Sequence, residues 1–269
     1  MTLVVTRELS ERLEVSETDC LFSRLSAIRD IEGNSMGVEI KKFGNATAFS
    51  VKNIPGPSYN QVKGLKNGDE QYLEQIIAFY REREIHFQFE ITPGNISGEL
   101  LKQLNHLGYY QHTFHTTLFS STNELVNNES NPSITIRKLE RDEFDIFAEV
   151  YQKGFGMPDF LKQGISQNNK ILYDNKKWKF YLATINESPA GIGVIFMKNR
   201  VAMLAAAATI PAYRNKGIQT ELLKVRINHA LAEECKLIVG QARFGSVSQN
   251  NMERMGMKIA YTKSIWING

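Results

Sequence analysis

The nine residues Ile210-Pro211-Ala212-Tyr213-Arg214-Asn215-Lys216-Gly217-Ile218 join an alanine-rich apolar run to an amphipathic segment through a basic, glycine-containing turn. Upstream, Val201 to Ile210 reads as a short buried strand, which Pro211 must end because proline has no N–H for a strand ladder. Downstream, Ile218, Leu222 and Val225, then Leu223, Ile227, Ala230 and Leu231, recur at three- and four-residue steps, the stripe of a helix packed on a sheet. A turn so placed can hold an anion. The first N–H groups of a helix lack partners within it and lie at the positive end of its dipole, so a phosphate there gains charge and hydrogen bonds together. Arg214 and Lys216 add positive charge, and Gly217 lets the backbone approach without a Cβ.

Arg214-Asn215-Lys216-Gly217-Ile218-Gln219 resembles the R-x-x-G-x-G/A signature of the GNAT superfamily, acyl-CoA-dependent N-acyltransferases whose loop amides bind the CoA pyrophosphate. Gln219 stands where glycine or alanine is usual. The order of elements around the loop extends the resemblance. It reads as strand Ile134–Arg137, helix Arg141–Lys153, strand Lys179–Ile185, turn Asn186–Pro189, strand Ala190–Met197, the alanine strand, the loop and its helix. Strand Leu237–Ala242, helix Val247–Met255 and strand Met257–Trp266 follow, with Gly245 through Met257 similar to the family's closing helix and glycine-hydrophobe turn. The expected fold is α/β (α+β): a mixed, mostly antiparallel central sheet flanked by helices.

The resemblance implies acetyl-CoA as acyl donor, its pantetheine arm lying like an extra strand along Ala207, Ala208 and Thr209. Arg214, Asn215, Lys216, Gly217, Ile218, Gln219 and Thr220 are then expected at the phosphates, and Ser248 and Asn251 at the pantetheine or adenosine. Plainer readings exist. The alanines can simply fill space between sheet and helices, and Ser246, Ser248, Asn250 and Asn251 can be ordinary N-capping residues.

A length of 269 residues suggests two domains. The boundary falls in Ser120 to Ser133, rich in Asn, Ser and Pro, giving domains at 1–121 and 134–269 with a linker at 122–133. Before it, helix Glu70–Glu84, strand Ile85–Ile91, helix Gly98–Leu107 and strand Tyr109–Phe119 mirror the second half, so the chain resembles two tandem GNAT-like domains. The first is read as degenerate. Between strand Tyr59–Leu65 and the helix stands Lys66-Asn67-Gly68-Asp69, without arginine, and Asp69 and Glu70, expected to cap the helix and pair with its dipole, would repel a pyrophosphate.

A net charge of +3 indicates no extended nucleic-acid surface. Cys20 and Cys235 lack metal-ligand spacing, and the first residues lack a signal peptide's charged and apolar regions, so a reduced, cytoplasmic protein without metal or membrane partner is expected. A P-loop is excluded because no G-x-x-x-x-G-K-[ST] occurs.

Acyl transfer to an amine needs an acceptor for the amine's proton and a donor for the thiolate. The resemblance implies a tyrosine where Met252 stands and a carboxylate on the central strands, where Val201–Ile210 has none and Leu237–Ala242 offers only Gln241. Tyr261, Tyr213, His229, Glu90, His112 and His115 are candidate replacements. Each also has a structural reading: Tyr261 with its hydroxyl at a rim, His229 on a helix surface, Glu90 as a paired carboxylate, and His112 and His115 on opposite faces of a strand. Two functions follow: an N-acetyltransferase acting on an amine-bearing small molecule or protein N-terminus, or a non-catalytic CoA-binding or regulatory module. The sequence leaves acceptor and oligomeric state open.

Overall fold

A computed structural model describes residues 4–54, 56–121 and 131–269; of the expected linker, 122–130 lies outside them. The chain divides into two compact units that are not contiguous in sequence. The N-terminal unit takes Val4–Thr117, Ala242–Phe244 and Ile259–Gly269, and the C-terminal unit takes Leu118–Gln241 and Gly245–Lys258. The division at 121 and 134 is thus crossed: the last strand of the chain joins the N-terminal unit.

In the C-terminal unit β6 (Thr135–Lys138), β7 (Trp178–Ile185), β8 (Ser188–Lys198) and β9 (Val201–Thr209) pair antiparallel in sequence order, and β10 (Leu237–Arg243) then pairs parallel to β9. Helix α4 (Phe144–Phe155) buries Phe144 and Phe147, whose rings meet Phe180 of β7 edge-on. Helix α5 (Lys162–Lys170), which apolar periodicity did not reveal, follows it. Helices α6 (Ile218–Ala232) and α7 (Val247–Arg254) stand where the stripes of Ile218–Leu231 and the 247–255 segment predict.

The N-terminal unit starts with α1 (Arg7–Arg29), capped where the Thr6 hydroxyl accepts from the Leu9 N–H at 3.1 Å. Next come β1 (Val38–Phe43), β2 (Ala46–Val51), β3 (Gln61–Lys63), α2 (Leu73–Arg81), β4 (Gln88–Ile91), α3 (Gly98–His106) and β5 (Tyr109–Ser121), of which Tyr109–Thr117 belongs here. Its strands run β1-β2-β3-β4, with β3 and β4 parallel and β11 (Lys258–Asn268) antiparallel to β4. The expected helix Glu70–Glu84 is a 3-10 turn at Glu70–Tyr72 followed by the shorter α2, and strands β3 and β4 are shorter than Tyr59–Leu65 and Ile85–Ile91.

Besides its ladder to β4, charge ties β11 into this unit. Lys263 of β11 is buried and lies 2.7 Å from carboxylate oxygens of both Glu17 on α1 and Glu90 on β4. Lys63 of β3 pairs with Glu90 and stands 3.6 Å from Glu17. Two carboxylates and two ammonium groups thus compensate one another out of water, the arrangement in which a buried charge is tolerable.

Candidate active site

The site of the C-terminal unit begins where two strands part. β10 follows β9 from Leu237 opposite Val201 to Gly240 opposite Leu204. β8 stays paired with β9 as far as Thr209, with a shift of register between Val194 and Phe196 that gives β9 one extra residue at Leu204–Ala205. Beyond Leu204 the β10-facing edge of β9 carries Ala205, Ala206 and Ala207, all half-buried, before Ala208 and Thr209 are buried again.

The small residues serve two purposes. Gly154 of α4 packs on the end of β9 so closely that a Cβ there would fall 2.7 Å from that of Ala208, so Ala208 lets the helix approach. Ala205–Ala207 leave an accessible edge. Beneath the bulge, Arg226 of α6 is fully buried and donates through Nη1 to the carbonyls of Ala206 at 3.2 Å and Val194 at 3.4 Å, and through Nε to Leu222 at 2.9 Å. Burial pulls its pKa down to about 10. No local pattern betrays this strut, which sits on what reads as an ordinary helix face.

The edge of β9 leads into the loop. Asn215 at φ +61° and Gly217 at φ +88° are both left-handed, which turns the chain sharply into α6. Glycine is favoured at 217 by that backbone angle, since an added Cβ would meet nothing closer than 3.8 Å. No side chain caps the start of α6 among the described residues, so its first N–H groups face outward without a side-chain acceptor. The Arg214 guanidinium donates to the Gly154 carbonyl at 2.9 Å. Lys216 is exposed, with Nζ 5.2 Å from the centre of the Tyr213 ring.

Gln219 turns toward β9. Its Nε2 donates to the Thr209 hydroxyl at 2.7 Å, which ties the first turn of α6 to the end of β9. On α7 the Ser246 hydroxyl caps the Gln249 N–H at 3.2 Å, the plain capping reading for that residue.

One cavity of about 500 Å³ brings these parts together. Its walls include Ala207, Ala208 and Thr209 of β9, Arg214, Asn215, Gly217, Ile218, Gln219 and Thr220 of the loop and helix, and Ser248 and Asn251 of α7. Of the residues expected at a cofactor, Lys216 alone is outside its wall. Gly154, Phe155, Val247 and Arg254 also line it and were not foreseen; Arg254 could have been found from its place three residues beyond Asn251. Among the described residues no carboxylate or imidazole lines it, and the described wall is neutral or positive.

The other candidates lie elsewhere. Met252 is buried and, being a thioether, offers no proton. Tyr213 lines the cavity. His229 is half-buried against the Tyr181 ring at 6.1 Å rather than on a helix surface, and burial lowers its pKa. In the N-terminal unit Tyr261 is buried, its hydroxyl 3.4 Å from Glu17 and not at a rim. Glu90 is the paired carboxylate described above. His112 is exposed, and His115 is held neutral by burial at a pKa of about 4.

Asp69 and Glu70 also differ from expectation. Neither caps a helix through its side chain. Asp69 instead accepts from the Lys66 N–H at 2.9 Å and from the Asn45 N–H and Nδ2 at 3.1 Å, and Glu70 from the Gly68 N–H at 2.7 Å, because the turn folds back on them.

Parted strands leading into an uncapped helix start define the site of a mixed α/β unit. Residues 139–257 match the acetyltransferase (GNAT) family, a stretch that lies almost wholly in the C-terminal unit. No curated protein matches the chain in sequence. Among solved structures the chain is similar to a GCN5-related N-acetyltransferase from Kribbella flavida, at 10% identity and TM-score 0.71, over 97% of this chain and 95% of that one. It is similar to a functionally unknown conserved protein from Staphylococcus epidermidis ATCC 12228, at 14% identity and TM-score 0.64, over 90% and 96%. A tandem GNAT protein from the clavulanic acid biosynthesis pathway aligns at 9% identity and TM-score 0.63, over 82% and 77%. These likenesses show the fold. Family and fold together support an acyl-CoA-dependent acyltransferase in general terms. Among the described residues no helix is long and apolar enough to cross a membrane.

Proposed function

We propose that the C-terminal unit binds acetyl-CoA and transfers its acetyl group to the amine of an acceptor, and that the N-terminal unit is a degenerate partner that holds no CoA. The observation that carries this reading is the continuity of the cavity: the unpaired edge of β9 at Ala205–Ala207 runs through Thr209 and the left-handed turn into the uncapped start of α6. A pantetheine amide would hydrogen-bond the free edge as a neighbouring strand does. The pyrophosphate would take the N–H groups of the first turn, with Arg214 beside it, and Ser248 and Asn251 would bond polar groups of the arm from α7.

The thioester supplies an activated carbonyl with a good leaving group. An amine nitrogen attacks that carbon, the C–N bond forms, the C–S bond breaks, and the proton lost by nitrogen ends on the departing thiolate. Among the described residues no wall residue is a carboxylate or imidazole, so of these groups only the Tyr213 hydroxyl or water can carry the proton, and the main contribution of this unit is positioning. The acceptor is an amine-bearing small molecule or a protein N-terminus.

The same lack of a base favours a second reading, a CoA-binding module without transferase activity. Calorimetry with CoA is expected to give one site per chain; two equal sites, or none, would contradict the proposal. Release of free thiol from acetyl-CoA across a panel of amines then separates the readings, since tight binding with no turnover on any amine points to the module.

A further inference from the structure

One cation in the cavity wall is left without a task by that reading. Arg254 stands on the last turn of α7, three residues after Asn251 and seven after Val247, and all three line the cavity from one face of the helix. Its situation differs from that of the unit's other exposed arginines. Arg137 pairs with Glu143, Arg141 with Asp174 and Arg200 with Glu234. Arg254 instead donates to the neutral Oδ1 of Asn251 at 3.2 Å, and Arg214 to the neutral carbonyl of Gly154.

Both arginines in the cavity wall are therefore without a carboxylate partner among the described residues. A guanidinium beside water and a neutral amide keeps its fork free for an oxyanion, which it binds by two parallel N–H bonds.

CoA carries three phosphate groups, two in the pyrophosphate and one on the ribose 3′ oxygen. The start of α6 and Arg214 account for the first two in the function proposed above, on which this inference rests. We propose that Arg254 binds the 3′-phosphate monoester, and that α7 thereby makes the protein select CoA thioesters over donors that end before that group, such as dephospho-CoA. The loop's second cation, Lys216, lies outside the wall with its ammonium near the Tyr213 ring, and is not assigned this phosphate.

The test is calorimetry on the full chain with CoA and 3′-dephospho-CoA. The unaltered protein is expected to prefer CoA tenfold or more. Arg254→Gln should bind both equally, its affinity for dephospho-CoA unchanged, which also shows that the variant is folded. Arg254→Lys should keep part of the preference, because charge remains while the fork is lost. Lys216→Gln should weaken both ligands alike. If the unaltered protein binds CoA but does not distinguish the two, or if Arg254→Gln keeps the full preference, the 3′-phosphate assignment is wrong while the CoA reading stands. A protein that binds neither ligand would remove both.

Discussion

Each unit carries a turn that leads from a central strand into a helix, and the two turns solve the same electrostatic problem in opposite ways. After β9 the chain presents Arg214 and an uncapped helix start, with no carboxylate in the cavity wall. After β3 the corresponding turn fills itself: the N–H groups of Lys66 and Gly68 go to Asp69 and Glu70. The strands differ as well. β9 and β10 part after Leu204 and Gly240. Just beyond the paired residues of β3 and β4, Lys63 is bonded to Glu90, and further on the Asn67 N–H donates to the Asn95 carbonyl at 2.9 Å. Backbone donors that meet the chain's own carboxylates have little left to offer an external phosphate. The two turns thus differ in which groups meet their backbone donors.

The largest test of this contrast removes the closure of the N-terminal unit. Lys263→Met leaves Glu17 and Glu90 with one ammonium group fewer in a dry site, and should cost about 3–5 kcal/mol in urea unfolding at neutral pH. A cost under about 1 kcal/mol would show that the network does not hold β11. Its pH dependence has a definite sign. Burial alone would raise the carboxyl pKa of Glu17 and Glu90, but Lys263 and Lys63 overcome it and hold both below their ordinary value. Their stabilisation is complete above the unfolded value of about 4.3 and is lost as pH falls through the depressed folded values. Burial would likewise lower Lys263, yet Glu17 and Glu90 hold it above its ordinary value, so its share is complete below about pH 10.4 and is lost as pH rises through the raised folded value. The network's own contribution should therefore be flat between those limits, while His115, held neutral by burial, makes total stability fall as pH drops below about 6.5; Lys263→Met should shrink the network's acid-side loss.

On the open side, Gly217→Val places a β-branched residue at φ +88°, and the reshaped turn should weaken CoA more than about a hundredfold, roughly 2.7 kcal/mol. Unchanged affinity in a folded variant would mean that the turn is not the phosphate site. Arg214→Ala removes a charge but leaves the helix N–H groups, so a loss near tenfold, about 1.4 kcal/mol, is expected; a loss as large as that of Gly217→Val would shift the weight from backbone to side chain. The smallest effect belongs to Gln219→Gly. Because Gln219 is tied to Thr209, CoA affinity should change less than tenfold, about 1.4 kcal/mol. A gain of several hundredfold would identify the glutamine as a plug and favour the module without catalysis.

How much of this was legible in the chain depended on whether local pattern or distant contact set the outcome. The basic turn before α6 was legible because proline, glycine and a clean apolar stripe act within about 20 residues of one another. Helix α1 was not. Its buried positions include Glu14, Glu17 and Arg24 among Leu9, Leu13, Leu25 and Ile28, so charge interrupts the stripe that would betray a helix, and it is acceptable there only because Lys63 and Lys263, more than 40 and 240 residues away in sequence, arrive to meet it. Strands β1 and β2 escaped for a related reason: β2 is buried along its whole length and shows no alternation.

Local chemistry in the sequence determined the strand-turn-helix unit, the backbone freedom at Gly217 and the absence of an acid or base on β9. Tertiary structure alone decided that β9 and β10 part after Leu204 and Gly240, that Arg226 props the bulge, that Gln219 faces Thr209, and that the final strand belongs to the N-terminal unit. The reason is physical: a propensity or a helix stripe depends on neighbours a few residues off, whereas a buried charge or a freed strand edge takes its energy from groups that only the folded chain brings together.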